Sequence, residues 1–171
     1  MSLILLELAA DQPLDAQQAN LRQALPGSEG QLVEAFAAPE LTEHYFVFDG
    51  LDEAAIAQLA ERSGLRPLNI KAVRLVGEAA ERTAEARYLV EWDLPEGLTM
   101  AAYLQRKAEK TPLYAQVPEA KFFRTYVCED MSKCLCLYDA PDEAAVRRAR
   151  AAVGAPVTRL SRVANDDSVP S

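Results

Sequence analysis

The chain has 171 residues, 50% apolar and 26% charged, with a formal net charge of −8, which fits a globular protein of one domain or two small ones. So acidic a surface argues against nucleic acid and anionic membrane as partners, because phosphate binding draws on clustered Lys and Arg. The nearest thing to a basic run, Arg147, Arg148 and Arg150, falls on a predicted helix and reads as a solvated face near its C-terminal dipole.

In chain order, Leu3 to Ala9 is predicted as a strand. It lacks a basic leader and is cut by Glu7, so it is not read as a signal peptide, and no apolar stretch approaches the ~18 residues of a membrane span. Asp15, with Gln18 three residues on, reads as an N-cap opening a helix to about Leu25 that stops at Pro26-Gly27. Gln31 to Ala38 and Glu43 to Phe48 read as a hairpin turned at Pro39-Glu40. Asp52 caps a helix with Ala55, Ile56, Leu59 and Ala60 on its apolar face and Gly64 just past its end. Ile70 to Val76 closes the unit as a strand.

The order then recurs. Arg87 to Trp92 is a strand, and Thr99 caps a helix ending near Lys110. Lys121 to Cys128 and Cys134 to Asp139 form a hairpin. Asp142 caps a helix ending at Gly154, and Val157 to Val163 is the last strand. The expected organisation is a first repeat over 1–76, a linker over 77–86, a second repeat over 87–163 and a disordered tail over 164–171.

The two halves align without a gap. Gln31 to Gly64 lies on Lys121 to Gly154 at a constant spacing of ninety residues, Asp52-Glu53-Ala54-Ala55-Ile56 on Asp142-Glu143-Ala144-Ala145-Val146. Each half reads β-α-β-β-α-β, the ferredoxin-like split motif. Its sheet carries both helices on one face, and the other face must be covered. The expected fold class is therefore α+β, with tandem ferredoxin-like repeats packing their bare sheet faces into an intrachain, pseudo-dimeric α+β barrel.

Strand alternation sorts side chains by face. In the second hairpin Phe123, Val127, Leu135 and Leu137 are expected under the helices, and Arg124, Tyr126, Cys128, Cys134, Cys136 and Tyr138 toward the space between the sheets. Glu34, Phe36, Ala38, His44, Phe46 and Phe48 are their counterparts in the first hairpin. Glu7 and Glu91 face the same way, either in that space or at its rim in water. Glu34 and Arg124 occupy equivalent positions and are expected to complement each other, as a structural ion pair or as part of a site. An apolar cleft with convergent polar groups is the default ligand site; its candidates are Glu7, Glu34, His44, Glu91, Arg124, Tyr126, Cys136 and Tyr138. His44, the sole histidine, reads equally as a hydrogen-bonded core residue.

Three cysteines, Cys128, Cys134 and Cys136, do not make a disulfide framework, and a reduced, cytoplasmic setting is expected. They suit a soft metal or, more simply, small core positions. There is no Gly-rich phosphate loop and no Gly-x-Ser-x-Gly elbow, and one histidine argues against multi-His centres and a Ser-His-Asp triad.

Thr125-Tyr126-Val127, then Asp130, then Lys133-Cys134-Leu135-Cys136-Leu137-Tyr138-Asp139-Ala140-Pro141, and finally Gly154-Ala155-Pro156, resemble a small family of nickel-responsive, ferredoxin-like proteins over about Arg87 to Val163. The first half keeps the outline only, with His44, Phe46 and Gly50-Leu51 where Cys134, Cys136 and Ala140-Pro141 stand. The resemblance implies a ferredoxin-like fold, association of two units and nickel as the metal to consider. Family members often carry a His in the helix after Ala-Pro; that position here is Ala149, so no metal ligands are carried over.

The function expected first is a non-enzymatic binding protein holding a small molecule or transition-metal ion between the two sheets. The alternatives are a cofactor-free α+β-barrel enzyme of the small-substrate oxygenase or isomerase type, with Glu7, Glu91 or His44 as base and Arg124 holding an anionic substrate, and a structural or partner-binding module. The chain is expected to be self-contained, with a further homodimer open.

Overall fold

The structure, a computed structural model, describes residues 3–25, 30–77 and 86–164. The helix stop at Pro26-Gly27, all but the ends of the 77–86 linker and most of the 164–171 tail lie outside these residues. The chain divides into two compact units, Met1–Arg74 with Arg162–Ser171, and Leu75–Ser161. Both are of mixed α+β, ferredoxin-like build. Among the described residues no helix is long and apolar enough to cross a membrane.

The first unit runs β1 (Leu3–Ala9), α1 (Leu14–Ala24), β2 (Gln31–Ala38), a 3-10 turn (Pro39–Leu41), β3 (Glu43–Asp49), α2 (Glu53–Arg62) and β4 (Pro67–Gly77). Its strands are ordered β2-β3-β1-β4, β1 being antiparallel to both β3 and β4. Asp52 caps α2 by accepting from the Ala55 backbone N–H at 2.8 Å, and Gly64, at φ +68°, ends it. The expected Asp15 cap is not formed. Pro13 takes the N-cap place without a side-chain bond, and Asp15 lies in the first turn, where its charge faces the helix N-terminus.

The second unit runs β5 (Tyr88–Asp93), α3 (Met100–Lys110), a 3-10 segment (Thr111–Gln116), β6 (Lys121–Cys128), β7 (Lys133–Asp139), α4 (Glu143–Ala152) and β8 (Arg159–Arg162). The strand order is β6-β7-β5-β8. Thr99 caps α3 through the Ala102 N–H and Asp142 caps α4 through the Ala145 N–H. Pro112 enters at the start of the 3-10 segment, where it ends the α-helical ladder and leads the chain across the helical side.

Each unit has its own core between sheet and helices. In the first, Ile4, Leu6, Leu8, Phe46 and Phe48 meet Leu14 and Leu21 of α1 and Ile56 and Leu59 of α2. In the second, Val90, Trp92, Cys134, Cys136 and Tyr138 meet Tyr103 of α3 and Ala145, Val146 and Ala149 of α4. Each buried large apolar side chain contributes about 1.5–3 kcal/mol.

The faces of the hairpins differ from the sequence expectation. Thr125 pairs with Cys136 and Val127 with Cys134, whereas Arg124 pairs with Leu137 and Tyr126 with Leu135. Cys134, Cys136 and Tyr138 therefore point to the helices, while Arg124 and Tyr126 share the other face with Leu135 and Leu137. The first hairpin splits likewise, Phe36 pairing with Tyr45 and Ala37 with His44. The turn length sets this register, and a slip of one residue exchanges the faces. A bulge between Leu32 and Glu34, repeated between Phe122 and Arg124, exchanges them once more and brings Phe122 opposite Tyr138 on the helical side.

Candidate functional site

The centre of the site is Arg150. Helix α4 places it four residues after Val146 and three before Val153, on the stripe that also holds Ala145 and Ala149. It is 3% exposed, whereas Arg147 and Arg148 have side chains more than half exposed, paired with Glu143 and Glu119. The expected solvated face thus holds for two of the three arginines. The third is turned inward, because the helical period puts it among the core residues.

A buried guanidinium must be paired and hydrogen-bonded. Its Nη2 donates to the Pro156 carbonyl at 2.6 Å, and its Nη1 to the Tyr138 hydroxyl at 3.2 Å and the Cys136 sulfur at 3.5 Å. Its buried Nε has no hydrogen-bond partner among the described residues. The Tyr138 hydroxyl lies 2.6 Å from that of Tyr114, carried in by the 3-10 segment. Phe122 stacks on Tyr114 at 5.4 Å and meets Tyr138 edge-on at 5.6 Å.

Cys136 accepts from the Thr125 hydroxyl at 3.2 Å and lies 3.9 Å from the Cys134 sulfur. The Cys134 contact, with the charges of Lys107 and Arg150 and the Thr125 hydroxyl, holds the Cys136 thiol well below its ordinary value despite burial. Cys134 is pushed up by that same contact, by burial and by the charge on Cys136. Of the two, Cys136 is the more acidic sulfur. Burial is the largest single influence on Arg150 and works against its charge, but Cys136, Tyr138 and Tyr114 together outweigh it and raise its pKa. Burial and then Cys136 raise Tyr103 and Tyr138, and burial chiefly pushes Tyr114 up to about 12. All three tyrosines are O–H donors at neutral pH.

Over this network lies a cleft of about 40 Å³, walled by Trp92, Tyr103, Tyr114 and Arg150 and rimmed by Arg106, Lys107 and Lys110. The volume admits about three waters. Lys107 sits 4.2 Å above the Phe122 ring, and Arg106 lies over Trp92 at 5.6 Å. The cleft can accept a small oxygen-bearing or anionic group, present positive charge to it and donate hydroxyl hydrogen bonds.

Of the residues expected at a site, Cys136 and Tyr138 belong to this network. Arg124, Tyr126 and Glu91 are in the same unit but on the opposite sheet face. Glu91 is buried, held by Lys133 at 3.1 Å and by Arg159, so it is not at a rim in water. In the first unit Glu7 is also buried, Glu34 is half-buried, and His44, 2% exposed, pairs its Nδ1 with Gln17 Oε1 at 2.6 Å. At the places ninety residues before Arg150, Cys136 and Tyr138 stand Ala60, Phe46 and Phe48, all fully buried; that unit has an apolar core where the second has the charged network. Sequence reasoning missed Arg150, Tyr103, Tyr114, Thr125 and Lys107. The legible signal was Arg150 falling on the apolar stripe of its helix.

Residues 88–163 match the family described as "Nickel responsive protein SCO4226-like", where the motif resemblance lay. No curated protein sequence matches the chain. Among solved structures, a crystal structure described as "Putative Chlorite dismutase" is similar at a TM-score of 0.55 and 13% identity, covering 96% of both chains. Another, described as a "putative monooxygenase from Lactobacillus acidophilus NCFM", has a TM-score of 0.49 and 9% identity, covering 98% of this chain and 94% of the other.

Nickel does not fit the residues present. Among the described residues no group of three or more His, Cys, Asp or Glu side chains is placed to hold a metal. The Cys136 sulfur faces a guanidinium instead of an incoming cation, which like charge disfavours. The expectation of a non-enzymatic binding protein holding a small molecule or metal ion between the sheets is corrected: the fold is shared with a structure that carries an enzyme's description, and the enzyme alternative is the better supported.

Proposed function

We propose that this chain is an enzyme converting a small oxygen-bearing substrate without a bound organic cofactor, by oxygenase- or isomerase-type chemistry, in the cleft of its second unit. The observation that carries this reading is Arg150, a buried and charged side chain at the cleft wall whose Nε has no hydrogen-bond partner among the described residues. A substrate oxygen in the cleft would lie in the field of this guanidinium, which would stabilise negative charge developing on that oxygen more strongly than water does. Tyr103 and Tyr114 supply neutral O–H donors at the same wall. Tyr138 and Cys136 position the guanidinium, and Lys107 draws an anionic group inward. Similarity to a structure described as a chlorite dismutase supports small-substrate chemistry by analogy of fold alone.

The architecture proposed with it is a duplicated ferredoxin-like unit, 1–76 and 87–163, closing into a pseudo-dimeric α+β barrel. Support comes from the ninety-residue spacing shared by strands, caps, bulges and helix-ending glycines, and from the full-length structural match. The odd cysteine count supports a cytoplasmic setting, and the acidic composition speaks against nucleic acid and anionic membrane as partners. On this reading Glu7, Glu34, His44, Glu91, Arg124 and Tyr126 support the two sheets and do not touch substrate.

The test is ligand binding followed by turnover. Trp92, the only tryptophan, lines the cleft, so its fluorescence reports occupancy by molecules of a few heavy atoms, such as formate and acetate. Wild-type protein should bind members of this set and exchange or oxygenate at least one, and Arg150→Met should lose both. Binding by none, or binding unchanged in folded Arg150→Met, would overturn the reading.

A further inference from the structure

We propose that the substrate of this cleft is an aryl carboxylate, held with its carboxylate in the cleft and its ring in an adjoining recess between the 3-10 segment and β6. The inference rests on the cleft reading above and names the substrate class. The cleft's size and charge point to the carboxylate. At about 40 Å³ it takes a group of about three heavy atoms. Arg106, Lys107, Lys110 and Arg150 line it, with no carboxylate among the described lining residues. In a chain with a formal net charge of −8, such a grouping selects an anion. Ligand pockets have volumes of about 300–1,000 Å³, so the cleft suits the head of a substrate whose body lies elsewhere.

The recess supplies that place. Its volume is about 360 Å³, and Tyr114, Pro118, Phe122 and Phe123 line it, with Lys121 bringing the charge among the described lining residues. Thr111 and Tyr114 line both spaces. Lys107, in the cleft, lies 4.2 Å from the centre of the Phe122 ring, in the recess, so the two spaces meet at one border. Tyr114 and Phe122 stack at 5.4 Å and are only half-buried, which leaves part of their ring surface open to an occupant. Such surface favours a flat apolar ring in offset or edge-on contact. A molecule the size of acetate would fill the cleft and leave the recess to water. One segment builds the pair of spaces. Pro112 ends the helical ladder of α3, and the six-residue 3-10 run carries Tyr114 to the border between cleft and recess.

The test measures Kd by calorimetry on the full-length chain for acetate, benzoate, phenylacetate and benzyl alcohol, with Trp92 fluorescence reporting occupancy of the cleft. Benzoate or phenylacetate should bind ~10-fold or more tightly than acetate, the gain from burying apolar surface worth about two methylenes, and should displace it. Benzyl alcohol, which has the ring without the charge, should bind ~10-fold or more weakly than the better aryl acid. Ala115 lines the recess and is exposed, so Ala115→Phe fills the recess without entering the core; it should bring the aryl acids down to the affinity of acetate. The ligand series in the wild type needs no variant, so a misfolded Ala115→Phe leaves the test intact. Aryl acids that bind no more tightly than acetate, or that keep their advantage in folded Ala115→Phe, overturn the inference; if acetate still binds, the proposed function stands without it. Aryl acids that bind without displacing acetate or changing Trp92 fluorescence occupy the recess alone, which also overturns it. Binding by no acid removes both readings.

Discussion

The guanidinium of Arg150 and the sulfur of Cys136 form a buried contact of 3.5 Å between a helix and a strand, fourteen residues apart in the chain. Neither group is stable there alone. The Cys134 contact, then Lys107, Arg150 and the Thr125 hydroxyl, lower the sulfur's pKa against burial, and Cys136 with Tyr138 and Tyr114 raise that of the guanidinium against burial. Removing either should therefore do more than delete a contact.

Arg150→Met leaves the Pro156 carbonyl, the Tyr138 hydroxyl and the Cys136 sulfur without their shared donor. Breaking a buried pair by deleting one partner costs about 3–5 kcal/mol, and urea unfolding of the variant should show a loss of this size. A loss below about 1 kcal/mol, the scale of an exposed pair, would mean that the guanidinium is solvated in solution.

Thr125→Val keeps the shape and removes one hydroxyl from the Cys136 sulfur. That hydroxyl is one of the groups that lower the Cys136 pKa, so the pKa should rise in the variant. Titration by thiolate ultraviolet absorbance, or by alkylation rate against pH, reads the shift. An unchanged titration would place the hydroxyl elsewhere.

Stability at low pH should track the same sulfur. The folded Cys136 value lies below its unfolded one, of about 8.5. Its contribution is therefore present above that pH and is lost as pH falls through the folded value, where the unfolded state binds the extra proton. Cys136→Ser should flatten this slope, provided that the variant folds; a slope equal to that of wild type would contradict a lowered Cys136 pKa.

Tyr114 shifts the other way, from 10.0 to about 12. Its contribution is complete below its unfolded pKa and declines as pH rises from about 10 to 12, by at most about 1.4 kcal/mol per pH unit. Tyr114→Phe should remove one proton's worth of this alkaline decline in denaturant melts recorded across the range.

Gly64 and Gly154 end equivalent helices at φ +68° and +65°, and a Cβ at either meets nothing within 4 Å. Alanine there should cost backbone strain alone, about 1–2 kcal/mol. The two variants should match within a few tenths of a kcal/mol by chemical denaturation. Unequal losses would show that the two helix ends differ in more than sequence.

The chain's own residues determined the element order, because its stop and start signals are local. Asp52, Thr99 and Asp142 each satisfy a backbone N–H within their own first turn, and Gly64 and Gly154 supply left-handed backbone where a helix must end. A spacing of ninety residues relates Asp52 to Asp142 and Gly64 to Gly154, and it is visible without coordinates. The face of each strand residue was not visible. Pairing Thr125 with Cys136 rather than Arg124 with Cys136 depends on where the turn closes the hairpin, and one residue's difference sends every side chain to the opposite side. The site needed more still. Arg150, Cys136, Tyr114 and Thr125 come from a helix, two strands and a 3-10 segment, and only packing brings them together. A buried charge looks like a surface charge in a sequence; what distinguishes them is the set of partners that the fold collects around it.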